Sequence, residues 1–353
     1  MKVKGIWKTI RSHSLFFPIT CLIIVLVVNL IKTPTFFHVS INNGVLYGYI
    51  IDILNRSSEL IIIAIGMTLV VACSGGTDIS VGAVSAVAGA ITIYALVGPM
   101  SGSVYRMPYI VAVLLGLIGA ILCGMFNGFL IAKLKIQPMV ATLILYTAGR
   151  GIAQVITQGM IIYVRKEEFK YLGNFIPQIP VPTPIIIAII VLILTNLLLK
   201  KTALGLYIQT VGTNHQAAKL VGLNSVLFIF LVYTFSGLCA GISGMIITSR
   251  VYSIDANNAG LNIELDAILA VAIGGNRLSG GKFSIAGSVI GAITIQALTT
   301  SLYAMKVTAD QLPVYKAIVV ILIVMLQSPE FKRIVGHLFD KFIKKDARKQ
   351  VAK

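Results

Sequence analysis

The chain has 353 residues, of which 57% are hydrophobic and only 12% are charged. Soluble domains carry about 25% charged residues, so this composition excludes an ordinary soluble enzyme and favours a protein that lies mostly in lipid. The net charge of +17 does not indicate nucleic-acid binding, because the basic residues lie mainly in short segments between apolar runs, as membrane topology requires. The four cysteines lie singly in apolar runs, so we expect neither a disulfide nor a metal site.

Ten segments are apolar enough to be candidate membrane spans, since a crossing helix needs about 20 such residues. The sequence therefore predicts an all-α, polytopic membrane protein. The eighth candidate is too short to cross upright, so we interpret it as a half-helix or re-entrant segment. The stretch 41-57 is too polar to span, and we expect it along the outer surface. The candidates are 15-31, 58-73, 80-98, 108-132, 138-157, 184-199, 226-247, 264-275, 284-303 and 313-327.

The distribution of lysine and arginine predicts the orientation. If the N-terminus is cytoplasmic, 19 of these residues lie on the inner side of the membrane and 8 on the outer side. Because cytoplasmic loops carry the excess of positive charge, both termini are expected in the cytoplasm. We therefore divide the chain into a cytoplasmic N-terminal segment (1-14), a transmembrane domain (15-327) and a basic cytoplasmic tail (328-353).

A glycine-rich break interrupts two apolar segments between Ser74 and Ser80 and contains one carboxylate, Asp78. In hydrocarbon, unpaired backbone groups are costly, so such a break survives only against other protein or water. It indicates a polar site for a solute, and a tight turn at the membrane surface is the alternative. The candidate substrate-pathway residues, each of which could instead hydrogen-bond between helices, are Thr77, Asp78, Ser80, Asn127, Thr142 and Gln154.

A second segment, 274-281, is similar to 75-82 through shared glycine and serine residues. Transporters often contain repeated halves with broken helices at matching places, so an internal repeat is one interpretation. Chance is the other, because glycine and serine match often.

Arg150 lies more than halfway along its predicted span. A charge at that depth should face protein or water and find a partner. Glu59, Glu264 and Asp266 lie toward the same side of the membrane. We interpret Arg150, Glu264 and Asp266 as an outer gate closed by an ion pair, and a purely structural ion pair is the alternative.

The clearest hydrophilic insertion is 200-225, which the charge count places in the cytoplasm. Asn214 is a predicted N-cap, 215-221 a short helix and Gly222 its end. A short helix with an apolar face of small residues suits docking into a groove of another protein, and a solvated connecting loop is the alternative. The residues that share this face are Ala217, Ala218 and Val221.

Motifs for catalysis or nucleotide binding are absent from the sequence. It contains no GxxxxGK[ST], HExxH or GxSxG pattern, and its serine, histidine and aspartate residues form no catalytic arrangement. We therefore expect no enzymatic activity, no cofactor and no motor within this chain.

Three motifs, in chain order, resemble the sugar permeases of bacterial ATP-binding-cassette importers, in the ribose, xylose and galactoside branch. They are GMTLVVACSGGTDISVG, KTALGLYIQTVGTNHQAAKLVGLNS and DANNAGLNIELDAILAVAIGGNRLSGGKF. The shorter matches DILNR, KIQPMVATLIL, AGRGIAQ and DANNAGL resemble the galactofuranose importer permeases within that branch.

The resemblance implies a subunit of the bacterial cell membrane that imports a monosaccharide, galactofuranose or a related hexose or pentose. Its implied partners are a second permease (identical or homologous), ABC ATPase subunits that hydrolyse ATP and an extracytoplasmic sugar-binding protein. An ion-coupled secondary transporter of a small polar solute is the alternative. The residues that match the ATPase coupling segment of the family are Gly212, Asn214, Ala217, Ala218 and Gly222.

Overall fold

The computed structural model describes residues 15–32, 34–42 and 44–327. The predicted segments 1-14 and 328-353 lie outside these residues. The helices are α1 (Phe16–Lys32), α2 (Tyr49–Ser74), α3 (Val81–Val97), α4 (Tyr109–Ala132), α5 (Pro138–Thr157), α6 (Thr183–Lys201), α7 (Leu204–Thr213), α8 (His215–Leu220), α9 (Ser225–Val251), α10 (Ile263–Ile273), α11 (Ile285–Ala304) and α12 (Leu312–Gln327). Two short antiparallel pairs join strands β1 (Ser40–Asn42) and β2 (Val45–Tyr47), and β3 (Ile162–Tyr163) and β4 (Ser253–Ile254).

The prediction of an all-α polytopic membrane protein is confirmed. Helices α2, α4, α5, α6, α9 and α11 are long and apolar enough to cross a membrane, and α1, α3 and part of α12 are shorter apolar helices. Helix α10 has 11 residues, so it is too short for an upright crossing, as the sequence predicted.

The start of α2 differs from the prediction. Helix α2 already begins at Tyr49, so residues 49-57 are helical and continuous with the predicted span, which was expected to start at residue 58. The hydroxyls of Ser57 and Ser58 donate to the carbonyl oxygen of Leu54, at 3.0 and 2.8 Å, so their polarity is satisfied inside the helix. These two hydroxyls therefore do not interrupt the helix.

Helix α2 is the central helix of the fold. From Ser57 to Cys73 every residue is buried, which is the pattern of a helix surrounded by others. It contacts α6, α7, α9 and α10, while α9 also contacts α3 and α4. Apolar side chains of α4, such as Ile110, Leu114 and Leu122, are exposed and suited to face lipid.

Small residues let α4 and α9 approach closely. A Cβ on Gly124 would lie 2.5 Å from the carbonyl oxygen of Tyr233, and one on Gly237 would lie 2.5 Å from that of Ala120. Such contacts are typical of helix pairs in membranes. The close approach brings polar side chains of both helices to the break after α2.

The chain divides into two compact units, the first ending at Ala297 and the second beginning at Leu298. The second unit contains α12. All contacts discussed below lie within the first unit.

Candidate functional site

The break after α2 is fixed by two glycines. Gly75 ends the helix in the left-handed conformation, with φ +63°, and its N–H donates to the carbonyl oxygen of Val71 at 3.0 Å. A Cβ on Gly76 would lie 2.4 Å from the Cβ of Pro138, the first residue of α5. Gly75 is therefore needed for its left-handed conformation, and Gly76 is needed because a side chain would collide with Pro138.

Asp78 is buried and anchors the break. Its Oδ1 accepts hydrogen bonds from the backbone N–H and the hydroxyl of Ser80, at 3.0 and 2.6 Å. Its Oδ2 accepts a bond from the hydroxyl of Ser236 on α9, at 2.9 Å. A polar group in an apolar interior is stable only when it is bonded in this way.

Asn127 and Thr142 extend this arrangement to α4 and α5. Asn127 Nδ2 donates to the Ser80 hydroxyl at 2.8 Å. The Thr142 hydroxyl accepts the N–H of Ile79 at 3.2 Å and donates to the carbonyl oxygen of Pro138 at 2.9 Å. We call Asp78, Ser80, Asn127, Thr142 and Ser236 the break network.

The break network unites four of the predicted substrate-pathway residues, and Thr77 lies beside them in the same break. Gln154 does not join them, because its amide bonds to Asn257 instead. Sequence reasoning missed Ser236, although a serine within a predicted span was a usable signal. It also missed Tyr233, whose hydroxyl lies 3.2 Å from that of Ser74.

One polar atom of the break network lacks a partner. Asn127 Oδ1 is buried and has no hydrogen-bond partner among the described residues. Since buried polar groups are normally satisfied, this oxygen is an acceptor for a water or for a ligand hydroxyl.

Arg150 contacts the turn that precedes α10. One guanidinium nitrogen, Nη1, donates to the carbonyl oxygens of Ala256 and Ala259, at 3.0 and 2.6 Å. Together with the Gln154–Asn257 bond, this contact attaches α5 to the polar turn 255–260.

Glu264 is buried against the first turn of α3. A Cβ on Gly82 would lie 2.3 Å from Glu264 Oε2 and 2.4 Å from the carbonyl oxygen of Gly260. The turn 255–260 and the start of α10 thus reach α3 just after the break, and Asp266 is half-buried in the first turn of α10.

The predicted ion pair between Arg150 and Glu264 is not formed. Among the described residues, none of the ion pairs within 4 Å joins these two side chains. Arg150 binds backbone carbonyls instead, because the turn 255–260 places two of them at its guanidinium. Arg150 Nε and Nη2 and Glu264 Oε2 are buried without hydrogen-bond partners in the described part of the chain.

Glu59 pairs with Arg250, a residue in the last turn of α9. Arg250 Nη2 donates to Glu59 Oε2 and to the carbonyl oxygen of Asn55, both at 3.0 Å, and Nη1 contacts Glu59 Oε1. Arg250 Nε also donates to the carbonyl oxygen of Gly173 at 3.3 Å. This buried charge pair ties the end of α9 to α2.

A second polar break follows α10. Asn276 is buried; its Nδ2 donates to the hydroxyl of Ser288 at 2.8 Å, and its Oδ1 accepts the N–H of Ser284 at 2.6 Å. The Thr68 hydroxyl on α2 donates to Ser288 at 2.6 Å. The two segments of similar sequence, 75-82 and 274-281, also touch, since a Cβ on Gly75 would lie 3.0 Å from the carbonyl oxygen of Ser279.

The segment between α6 and α9 contains more helix than predicted. Helix α7 was missed, although Leu204, Ile208 and Val211 follow a helical spacing and the last two are buried. Asn214 is the N-cap of α8, as predicted, and its Oδ1 accepts the N–H groups of Gln216 and Ala217 at 2.9 and 3.0 Å.

The exposed face of α8 differs from the predicted one. Ala218 is 0% exposed, so it cannot belong to a docking surface. Leu220 is 89% exposed and Val221 is 70% exposed, and Ala217 is exposed as well. We call Ala217, Leu220 and Val221 the α8 apolar face. Gly222 follows it with φ +81°.

Known proteins match nearly the whole chain. The galactofuranose transporter permease protein YtfT of Escherichia coli is 45% identical over 313 residues, which cover 89% of this chain and 89% of that protein. The fructose import permease protein FruF of Bifidobacterium longum is 36% identical over 352 residues, covering 98% and 96%. The ribose import permease protein RbsC of Escherichia coli is 34% identical over 314 residues, covering 88% and 92%.

A family model agrees with these relatives. The model described as the permease component of the branched-chain amino acid transport system matches residues 49–327, which include both breaks, Arg150 and the α7–α8 segment. The resemblance to transport permeases that the three sequence motifs predicted is confirmed. The chain belongs to this family of membrane permease components.

Proposed function

We propose that the chain is the permease subunit of an ATP-binding-cassette importer and carries a monosaccharide across the bacterial cell membrane. The observation that carries this proposal is that permeases named for galactofuranose, fructose and ribose each match nearly nine tenths of the chain or more. A permease family, rather than an enzyme family, also agrees with the lack of catalytic motifs in the sequence. We infer galactofuranose, or a related hexose or pentose, as the substrate.

The break network is the proposed part of the substrate pathway. It lies where α2, α3, α4, α5 and α9 meet, and its side chains carry both donors and acceptors, which a neutral sugar needs. In this structure Asp78, Ser80 and Thr142 bond to protein groups, so a sugar would have to replace these bonds. Separation of the helices would expose these groups, and the unsatisfied Asn127 Oδ1 is the first acceptor for a sugar hydroxyl.

Arg150, Glu264 and Asp266 form the proposed outer gate. Arg150 holds the turn 255–260 through two carbonyl oxygens, and Glu264, in the first turn of α10, packs against the start of α3 next to the break. The buried atoms of Arg150 and Glu264 that lack partners would be satisfied when the gate rearranges, by each other or by a hydroxylated solute.

The energy for transport would come from a separate ATPase. The sequence has no phosphate-binding GxxxxGK[ST] loop, and the α8 apolar face is an exposed surface for a partner groove. With both termini in the cytoplasm, as the charge distribution favours, this face lies on the cytoplasmic side. A second permease chain and an extracytoplasmic sugar-binding protein complete the proposed assembly.

Transport by reconstituted vesicles tests the proposal. The chain is incorporated with its ATPase and binding protein, and uptake of labelled galactofuranose, ribose and fructose is compared. We expect uptake of one sugar that requires ATP and stops when the ATPase is replaced by a form unable to hydrolyse it. Sugar accumulation by the chain alone, driven by an ion gradient, would instead support the secondary-transporter alternative.

A further inference from the structure

Gly212, near the end of α7, lies against the backbone of both breaks. A Cβ on Gly212 would lie 1.7 Å from the carbonyl oxygen of Ala72 and 2.9 Å from the amide nitrogen of Gly281. Ala72 belongs to the last turn of α2, and Gly281 belongs to the turn before α11. No residue larger than glycine fits at this position unless the backbone moves.

The two breaks are also bonded to each other at this point. The N–H of Gly281 donates to the carbonyl oxygen of Ala72 at 2.9 Å. A Cβ on Gly280 would lie 3.0 Å from the carbonyl oxygen of Gly212 and 3.2 Å from the Cα of Gly75. Three backbone segments therefore touch with no side chain between them. Because closely packed interiors transmit strain, a shift of one segment must displace the others.

We propose that Gly212 is a positioning residue through which the α7–α8 segment moves both breaks together. The neighbouring Thr213 supports this contact, since its Oγ1 is the atom closest to a Cβ built on Gly281. A displacement of α8 by a docked partner would then reach the break network through Gly75 and the second break through Gly281. This transport role rests on the proposed function, whereas the mechanical link between the segments does not.

Cysteine labelling tests the link without any partner protein. Reporter cysteines are introduced singly as Thr77→Cys and Ser279→Cys, one in each break, after the native cysteines are replaced by alanine. The protein is held in lipid nanodiscs and labelled with a hydrophilic maleimide. We expect Gly212→Ala to change the labelling rate of both reporters by at least about fivefold, the lower end of typical coupling between sites.

Gly205→Ala is the matched control. Gly205 also lies in α7, and a Cβ there would lie 2.9 Å from the carbonyl oxygen of Leu199, so the added methyl group again meets a backbone carbonyl, with a milder overlap, but at the end of α6 and away from both breaks. It should leave both reporters unchanged. The proposal is overturned if Gly212→Ala changes the labelling rate of neither reporter or of only one. It is also overturned if Gly205→Ala changes both labelling rates as much as Gly212→Ala does.

Thr213→Ala gives an answer if Gly212→Ala does not fold, because it removes a contact with Gly281 and adds no atoms. It should change both reporters, and a change confined to Ser279→Cys contradicts the link. Sugar uptake is measured separately on the wild-type assembly. If the wild-type assembly takes up no sugar but Gly212→Ala still changes the labelling of both reporters, the proposed function is rejected and the mechanical link between the segments stands.

Discussion

Asp78 and Ser236 are 158 residues apart in sequence, yet their side chains share a buried hydrogen bond of 2.9 Å. This bond fastens the break between α2 and α3 to α9. The break is therefore not a loose turn: its carboxylate is held by three donors, two from Ser80 and one from another helix.

Ser236→Ala should destabilise the protein by about 1–3 kcal/mol, because one oxygen of the buried Asp78 carboxylate loses its donor. Thermal unfolding in detergent measures this change. Ser243→Ala is the matched control, since Ser243 lies on the same helix and its buried hydroxyl has no partner among the described residues. Equal melting temperatures for the two variants would mean that the Asp78–Ser236 bond contributes nothing to the break.

The buried ion pair between Glu59 and Arg250 gives a second stability prediction. Glu59→Gln should cost about 3 kcal/mol, since it leaves the Arg250 charge in a largely buried site without its counter-charge. Glu59 is 12% exposed in this pair, whereas Glu168, which pairs with Lys166, is 58% exposed. Glu168→Gln should therefore change stability by no more than about 0.5 kcal/mol, because exposed pairs are weak. The same unfolding assay compares the two, and a loss of equal size in both would contradict the ranking by burial.

Most of the spanning helices could be predicted because each lies in a mainly apolar run, although α2 begins before its predicted start and the shorter α7 was missed. The partners of the polar residues could not. Asp78, Asn127 and Thr142 were recognisable as polar groups within or between spans, but the contact of Asp78 with Ser236 depends on how α9 packs against the break between α2 and α3. The same holds for Arg250, because its partner Glu59 is 191 residues away in sequence and lies on another helix. Sequence patterns report the environment of each segment, whereas long-range pairing follows from the packing of helices.

The α8 apolar face predicts a docking surface for the proposed ATPase. Leu220→Glu should leave the melting temperature unchanged, because the side chain is almost fully exposed, but it should weaken co-purification with the ATPase by tenfold or more, or about 1.4 kcal/mol. Met100→Glu, at another exposed apolar residue outside the α7–α8 segment, should alter neither property.

Ala218→Glu separates docking from folding at the same helix. Ala218 is buried, so a glutamate there should lower the melting temperature and the yield of folded protein rather than act on docking alone. If Ala218→Glu keeps its melting temperature but no longer co-purifies with the ATPase, the docking surface is the one predicted from the sequence, which includes Ala218, and not the α8 apolar face.

Arg150→Met tests the proposed outer gate. It removes two charge-assisted hydrogen bonds to Ala256 and Ala259, so the turn 255–260 should detach from α5 and sugar uptake should fall at least about tenfold. Arg150→Lys keeps the charge but not the forked geometry, and it should recover only part of the uptake. Gln154→Ala, which breaks the more exposed contact of α5 with the same turn, should have the smaller effect on sugar uptake.

Hydrogen exchange across residues 255–260 reports the attachment of the turn directly. Faster exchange in Arg150→Met together with normal sugar uptake would show that Arg150 has a structural role and does not gate the pathway.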